Sequence, residues 1–364
     1  MYIWLITFPQ ILNKMCQNKK IDFIIVGQGL AGTLLAYDLI ELGKSVIIID
    51  THLKASASRV AAGLINPVSM KRCIPAMPSN YLTTAFDRYL ELEHKLKSRF
   101  LFKKPLLRLF DALETKDLWV DKYVNKQMDL YIDEFCEVNT FPFLKDEFSS
   151  ALVKPAGYLD LKEFLTVSRE YFKDNNMLIE EKFDFSEFNK KHISYKNLKA
   201  EKIVFCDGFR IKENPFFDYL PIAPTKGELM QIKIPSVENF DKIISKGIYI
   251  IPNGDYMYTV GATYDRVDLT ENLTKDGQQF LKDKLDEVLN VDYEIISSVA
   301  GVRPTVKDRE PLIGMHKEFN NIGVFNGLGA RGVLNAPHFS KEFSKGLISD
   351  SIYKFDFKTI DRFH

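Results

Sequence analysis

The stretch from Phe23 to Asp50 constrains this chain more than any other. An apolar run, Phe23-Ile24-Ile25-Val26, is short and β-branched enough for a buried parallel strand. Gly27-Gln28-Gly29-Leu30-Ala31-Gly32 follows, a G-x-G-x-x-G. A helical pattern then puts Leu30, Leu34, Leu35, Leu39 and Ile40 on one face and stops at Gly43. A second apolar run, Val46 to Ile49, ends in Asp50. Strand, glycine turn, helix, strand and acid make the βαβ unit that binds dinucleotides.

Each part has a physical task. Gly27 permits the tight turn, Gly29 has no side chain to hold a pyrophosphate off the backbone, and Gly32 lets the helix pack close to the strand. Leu30 and Ala31 open the helix, whose first N–H groups and positive dipole end face the phosphates. Asp50 lies 18 residues after Gly32, near where an acid meets ribose hydroxyls. A bare glycine motif can be an ordinary turn, so the flanking strand, helix and acid carry the weight. This stretch alone does not separate FAD from NAD.

Composition narrows the class. With 364 residues, 46% hydrophobic and 27% charged, the chain has core enough for about two domains. Its net charge is zero, with no long basic run to suggest a nucleic-acid binder. No stretch is long enough to span a membrane. Met1 to Phe8 is apolar but lacks the basic start and cleavage site of a signal peptide, so residues 1–20 read as an extension, with Met15 as the working start. Cys16, Cys73, Cys136 and Cys206 are far apart and the six histidines are scattered. Reduced cysteines, a cytoplasmic protein and no metal site are the expectation.

After Asp50, a small-residue run, Arg59-Val60-Ala61-Ala62-Gly63-Leu64-Ile65, ends at Asn66-Pro67. It suits close backbone approach to a flat or phosphorylated group, or close helix packing. A helix is expected from Ser79, one alternating strand over 100–110, and irregular helices and turns over 112–150. Asp160 with Glu163 forms a capping-box-like start to a helix reaching about Phe172. Short strands are expected near 178–184, 192–196 and 202–206, the last ending at Asp207-Gly208. From 228 onward alternating strands imply an antiparallel sheet, interrupted by a helix near 275–290. The C-terminal part returns to a buried strand, 321–325, then Gly327-Leu328-Gly329-Ala330-Arg331-Gly332 and a helix with Pro337 in its first turns.

In this order the pieces resemble the FAD-dependent amine and amino-acid oxidases: glycine oxidase, D-amino acid oxidase and monomeric sarcosine oxidase. The matching segments are VGQGLAG with Asp50, AAGLINP at 61–67, AGYLD at 156–160, VFCDG at 204–208, PTKGE at 224–228, YIIP at 249–252, GATYD at 261–265, GVRPTVKDREPLIG at 301–314 and GLGARGVLNAP at 327–337. The resemblance covers nearly the whole chain from about residue 21. It implies an α/β fold: a Rossmann-type FAD-binding domain of discontinuous segments (21–80, 152–215 and 300–364) and a second, substrate domain (81–151 and 216–299) on a mostly antiparallel sheet.

The resemblance also implies roles. Gly27, Gly29 and Gly32 would sit at the pyrophosphate and Asp50 at the adenosine ribose. Ser58, Arg59, Ala62, Gly63 and Leu64 match the loop running past the pyrophosphate to the isoalloxazine. Phe183 matches a position whose backbone meets adenine, or is plain core. Asp207 and Gly208 end a strand of the nucleotide domain beside the cofactor. Gly329, Arg331, Gly332 and Val333 match the loop at the pyrimidine end of the flavin, where glycine N–H groups and a helix N-terminus favour negative charge. Arg303 would hold a substrate carboxylate through a guanidinium fork, with Tyr249 and Tyr264 lining the same pocket. The bland alternatives are an Arg303–Asp308 ion pair and half-buried sheet tyrosines.

The sequence departs from glycine oxidase at the Leu-Gly-Ala-Arg-Gly loop and at Asn-Pro after AAGLI. There it looks more like the oxidase domain of the bifunctional bacterial enzyme that trims carboxymethylaminomethyl-uridine in tRNA. No cysteine follows Cys206, so the FAD expected is non-covalent. The expected function is oxidation of the C–N bond of a small amino acid or secondary amine, with molecular oxygen as acceptor. The alternatives are removal of a carboxymethyl-type group from a modified tRNA uridine and flavin binding without turnover. Substrate, stereochemistry and oligomeric state stay open.

Overall fold

The protein is described here from a computed structural model covering residues 21–52, 56–238, 240–349 and 354–363. The extension expected over 1–20 lies outside the described residues.

The opening βαβ unit forms as its pattern dictates. The strand Ile21–Val26 pairs in parallel with Val46–Ile49, and the helix Leu30–Glu41 connects them. Gly43 ends that helix at φ 76°, in the left-handed region that glycine enters at no steric cost. Gly32 serves packing: a Cβ there would meet the Gly27 carbonyl oxygen at 2.0 Å.

Around this unit a parallel sheet runs in the order Leu178–Ile179, Val46–Ile49, Ile21–Val26, Leu198–Phe205 and Ile322–Asn326. Leu312–Met315 is added antiparallel at one edge. The central strands Ile21–Val26 and Val46–Ile49 and the strand Ile322–Asn326 are almost wholly buried, as expected for a parallel sheet covered on both faces. The helices Leu161–Asp174 and Gly332–Ile348 pack beside Leu30–Glu41. Pro337 lies in the second turn of the last helix.

A second sheet of eight strands runs in the order Glu294–Arg303, Thr225–Lys233, Met257–Gly261, Ile248–Gly254, Ile243–Lys246, Leu106–Leu109, Ser150–Val153 and Ile132–Cys136. All its pairings are antiparallel except that of Ile243–Lys246 with Leu106–Leu109. The α/β class with a mostly antiparallel second sheet is therefore as expected from the sequence.

Several local expectations are corrected. The strand expected over 100–110 is two strands, Leu101–Lys103 and Leu106–Leu109, because Pro105 cannot donate to a ladder. Residues 112–150 are more ordered than their pattern suggests, with a helix Leu113–Val124 and a strand Ile132–Cys136. That helix buries only Trp119, so its apolar periodicity is weak. The strand Glu294–Arg303 carries Arg303 at its end. The helix Ser79–Leu96 packs on Gly332–Ile348 and is tied to Leu30–Glu41 by buried Arg88, which pairs with Asp38 at 2.6 Å.

Candidate functional site

One cavity of about 480 Å³ lies between the two sheets, within the usual range of small-molecule sites. It runs from the glycine turn after Ile21–Val26 to the end of Glu294–Arg303. Nearly all residues singled out in the sequence border it: Gly27, Gly29, Leu30, Ala31, Asp50, Ser58, Arg59, Ala62, Gly63, Leu64, Phe183, Asp207, Gly208, Gly329, Gly332, Val333, Tyr249, Tyr264 and Arg303. Gly32 and Arg331 do not line it.

At one end the backbone is exposed by glycine. A Cβ at Gly27 would lie 2.5 Å from the Cys206 carbonyl oxygen, and Gly27 sits at φ 102°. Only glycine fits there, and the turn it makes brings the helix N-terminus to the cavity. Two nearby amides are already taken. Leu30 N donates to Ser58 Oγ at 3.1 Å, and Gln28 N donates to Asp50 Oδ2 at 2.9 Å.

Asp50 is held on three sides. Its Oδ1 accepts from Arg169 Nη1 at 2.9 Å and from His52 N at 2.7 Å. With Gln28 N on the other oxygen, three of about four lone-pair sites are used and one remains for a ligand. Arg169 is buried and also reaches Gln28 Oε1 and Glu180. Sequence reasoning missed Arg169. The available signal was its place on the apolar face of the helix, four residues from Leu165, where a charge needs a partner.

The middle of the cavity is shaped by Ala62 to Leu64. Gly63, at φ 72°, would place a Cβ 1.8 Å from the Leu159 carbonyl oxygen, while Leu159 N donates to Gly63 O at 2.9 Å. The small-residue run therefore serves close backbone packing and cavity lining together. Phe183 also does both. It stacks on Tyr195 at 4.5 Å between centroids and borders the cavity.

Asp207 has no cation partner among the described residues. Asn214 Nδ2 and Asn326 Nδ2 donate to its two oxygens at 2.9 and 3.2 Å. Desolvation outweighs these bonds and pushes its pKa up to about 6. Asn326 also donates to Gly208 O, so one buried amide ties two strand ends together.

At the far end, Arg303 lies over Gly227 with its Nη1 donating to the carbonyl oxygens of Lys226 and Thr263, both at 3.3 Å. The Asp308 ion pair does not form; Asp308 takes Arg362 at 2.9 Å instead. Burial lowers the pKa of Arg303, and no carboxylate among the described residues pairs with it. Tyr249 is partly buried on Ile248–Gly254 and accepts from Asn66 Nδ2 at 3.1 Å. Asn66 was not singled out in the sequence. Its Oδ1 accepts from Val68 N, which fixes the amide orientation. Tyr264 is 56% exposed in a loop rather than a half-buried sheet residue.

The second glycine loop closes this end. Gly327 and Gly329 have φ 73° and 58°, and the helix from Gly332 starts immediately after. Val333 is fixed by Tyr89, whose hydroxyl donates to the Val333 carbonyl oxygen at 2.8 Å. Arg331 turns outward and donates to the Ala76 carbonyl oxygen at 3.0 Å. The arrangement can hold a long ligand with an anionic middle and present an anion-binding arginine at its other end.

Comparison with known proteins agrees with this geometry. The sequence pattern described as DAO, FAD dependent oxidoreductase, matches residues 22–345. A tRNA 5-methylaminomethyl-2-thiouridine biosynthesis bifunctional protein MnmC from Campylobacter jejuni subsp. doylei is 23% identical over 310 residues, 82% of this chain and 46% of that protein. A bifunctional protein ThiO/ThiG from Nostoc sp. is 24% identical over 365 residues, 91% of this chain and 52% of that protein. The chain thus spans about half the length of the curated relatives it matches. Among solved structures, glycine oxidase from Geobacillus kaustophilus superposes with a TM-score of 0.78 at 20% identity, covering 94% of this chain and 98% of that one.

Proposed function

The chain belongs to the FAD-dependent oxidoreductase family, and we propose that within it the protein oxidises the C–N bond of a small amino acid or secondary amine. FAD is the family's cofactor, and the residues present fit it. Gly27 and Gly29 line the cavity with bare backbone, the turn at Gly27 brings the helix N-terminus to it, and the cavity runs from Asp50 to Arg303. In this reading Gly27, Gly29 and Ala31 hold the pyrophosphate, Asp50 the ribose, and Gly329 to Val333 the pyrimidine end. Bound FAD supplies an acceptor for hydride from a carbon next to nitrogen.

The observation that carries the proposal is Arg303. A partly buried guanidinium whose Nη1 is held by two carbonyl oxygens, and which has no carboxylate partner among the described residues, is a receptor for a carboxylate. Held there, a short amino acid has its α-carbon inside the cavity, and the protein contributes orientation and exclusion of water. Tyr249, whose hydroxyl accepts from Asn66, borders the same cavity. No acid–base triad is required. Oxygen as acceptor follows from the oxidase resemblance.

The experiment is direct. The FAD-loaded protein is mixed anaerobically with glycine, sarcosine, proline and D-amino acids in turn, and loss of the flavin colour is followed. Arg303→Ala should raise KM for the bleaching substrate; an unchanged KM would move the carboxylate site elsewhere.

A further inference from the structure

The seat of Arg303 is held from behind. Along the strand Thr225–Lys233 successive side chains alternate between faces, so Gly227 and Leu229 border the cavity while Lys226 and Glu228 lie on the opposite side. Both are almost completely buried, at 1% and 2% exposure. Lys226 Nζ donates to Asp268 Oδ2 at 2.5 Å and lies 3.8 Å from Glu228 Oε1. Glu228 Oε1 accepts from Thr274 N at 2.9 Å and from Thr274 Oγ1 at 2.7 Å, and its Oε2 accepts from Gln278 Nε2 at 2.8 Å. The Gln278 Oε1 in turn accepts from Ser298 Oγ at 2.6 Å, on the strand that ends in Arg303. The helix Lys275–Val288 is shaped around this carboxylate: a Cβ on Gly277 would lie 2.7 Å from Glu228 Cδ. Glycine is unfavourable inside a helix, and here it leaves Glu228 its place.

These contacts converge on the two carbonyl oxygens that hold Arg303. Lys226 O accepts from Asp265 N at 3.0 Å as well as from Arg303, and Lys226 N donates to Asp265 O at 2.8 Å. Thr263 O, the second acceptor, belongs to a residue clamped on Glu228. Thr263 N donates to Glu228 O at 3.2 Å, and Glu228 N donates to Thr263 Oγ1 at 2.7 Å. Gly227 stands between Lys226 and Glu228 with no side chain of its own, so its two neighbours supply the anchors. They also tie down both ends of the segment 263–274, which brings Thr263, Tyr264 and Glu271 to the cavity. Burying an ammonium and a carboxylate carries a desolvation penalty that an apolar pair of similar volume avoids. Stability alone does not call for charges here.

We propose that Lys226 and Glu228 are positioning residues of the carboxylate site, fixing the Lys226 and Thr263 carbonyl oxygens and through them the guanidinium of Arg303. This rests on Arg303 as the carboxylate receptor and adds what holds that receptor in place. Neither Lys226 nor Glu228 borders the cavity, so both act through Arg303 and not on a ligand. A guanidinium ordered in advance leaves less ordering for a bound carboxylate to overcome. Weakening the network therefore loosens carboxylate binding and spares FAD binding, because the glycine turn and Asp50 lie at the other end of the cavity.

The test uses the FAD-loaded full chain with acetate as the carboxylate probe, titrated by calorimetry and by the visible difference spectrum of the flavin. Asp268→Asn weakens the network from its partly exposed end, Glu228→Gln at its buried centre, and Gly277→Ala by pressing on Glu228 with no change of charge. The flavin spectrum and Tm check that each variant is folded, and Asp268→Asn keeps the test decisive where a buried variant does not fold. Arg303→Ala should weaken acetate binding about tenfold or more, the loss of hydrogen bonding to a charged group, and the three network variants about threefold to tenfold. FAD affinity should be unchanged in all of them, and Asp268→Glu, which keeps the charge, should recover acetate binding. Folded network variants that bind acetate as the wild type does, while Arg303→Ala does not, overturn the positioning role and leave the receptor standing. Acetate and FAD affinity falling together in the network variants would make the network a general support of the fold and overturn it as well. Acetate binding that is absent from the wild type, or equal in wild type and Arg303→Ala, removes the carboxylate receptor itself and the proposal with it.

Discussion

Gly227 lies directly beneath the guanidinium of Arg303: a Cβ on Gly227 would come within 2.0 Å of Nη2 and 2.3 Å of Cζ. The two residues belong to adjacent strands, paired antiparallel, with Gly227 opposite Gly301 and Thr225 opposite Arg303. A bare backbone is what lets the arginine fold back over the sheet and face the cavity. Gly227→Ala should therefore push Arg303 out of position while leaving the glycine cradle intact. Losing one charge-assisted hydrogen-bond pair, about 1.5–3 kcal/mol, should raise KM for a carboxylate substrate by about 10- to 150-fold. The flavin spectrum and FAD affinity should not change. An unaltered KM would show that Arg303 does not set substrate binding.

Arg169 and Asp50 provide a second prediction, concerning the other end of the site. Arg169 is buried and holds Asp50, Gln28 and Glu180 together. Arg169→Ala leaves Asp50 without its ion pair beneath the expected adenosine ribose. Breaking a buried pair this way costs about 3–5 kcal/mol, and the partial exposure of Asp50 and Glu180 puts the expectation at the low end. FAD affinity should fall with stability. Arg169→Met, which keeps the volume, should recover part of the stability and none of the affinity. Full affinity in either variant would show that Asp50 does not need this support.

Asp207 gives the account a pH dependence. Its carboxyl is raised to about 6 in the folded chain, against an ordinary value near 3.8. The folded state thus binds this proton more tightly than the unfolded state. The stabilising contribution is complete below about pH 4, fades as pH rises to about 6, and is absent above it. A shift of about two units corresponds to roughly 3 kcal/mol at most. Asp207→Asn should raise Tm at pH 8 relative to wild type and not at pH 4. The same difference at both pH values would mean that the carboxylate is not desolvated.

Much of this fold was legible because local and global signals agree. The run from Phe23 to Asp50 has its strand, glycine turn, helix and acid in sequence order, so no long-range information was needed. Gly63 was legible as a close-approach residue, although what it approaches, Leu159, is nearly a hundred residues away. The strand at 100–110 was misread because Pro105 breaks a pattern whose alternation continues on both sides. Residues 113–124 hid their helix because only Trp119 is buried, so the apolar face is one residue wide. The supports of the site were the least legible. Arg169 reaches Asp50 across 119 residues and Asn66 reaches Tyr249 across 183, and neither pairing leaves a spacing rule in the sequence.

The central claim is that this cavity holds FAD and passes it electrons from a C–N bond. The measurement that tests it most directly is the visible spectrum of the FAD-loaded protein under anaerobic titration with a panel of small amines and amino acids. The account predicts a yellow protein that at least one carboxylate-bearing amine bleaches, with the bleaching rate falling at fixed low substrate in Arg303→Ala. A protein that takes up no FAD, or one that stays yellow against the whole panel, would contradict it.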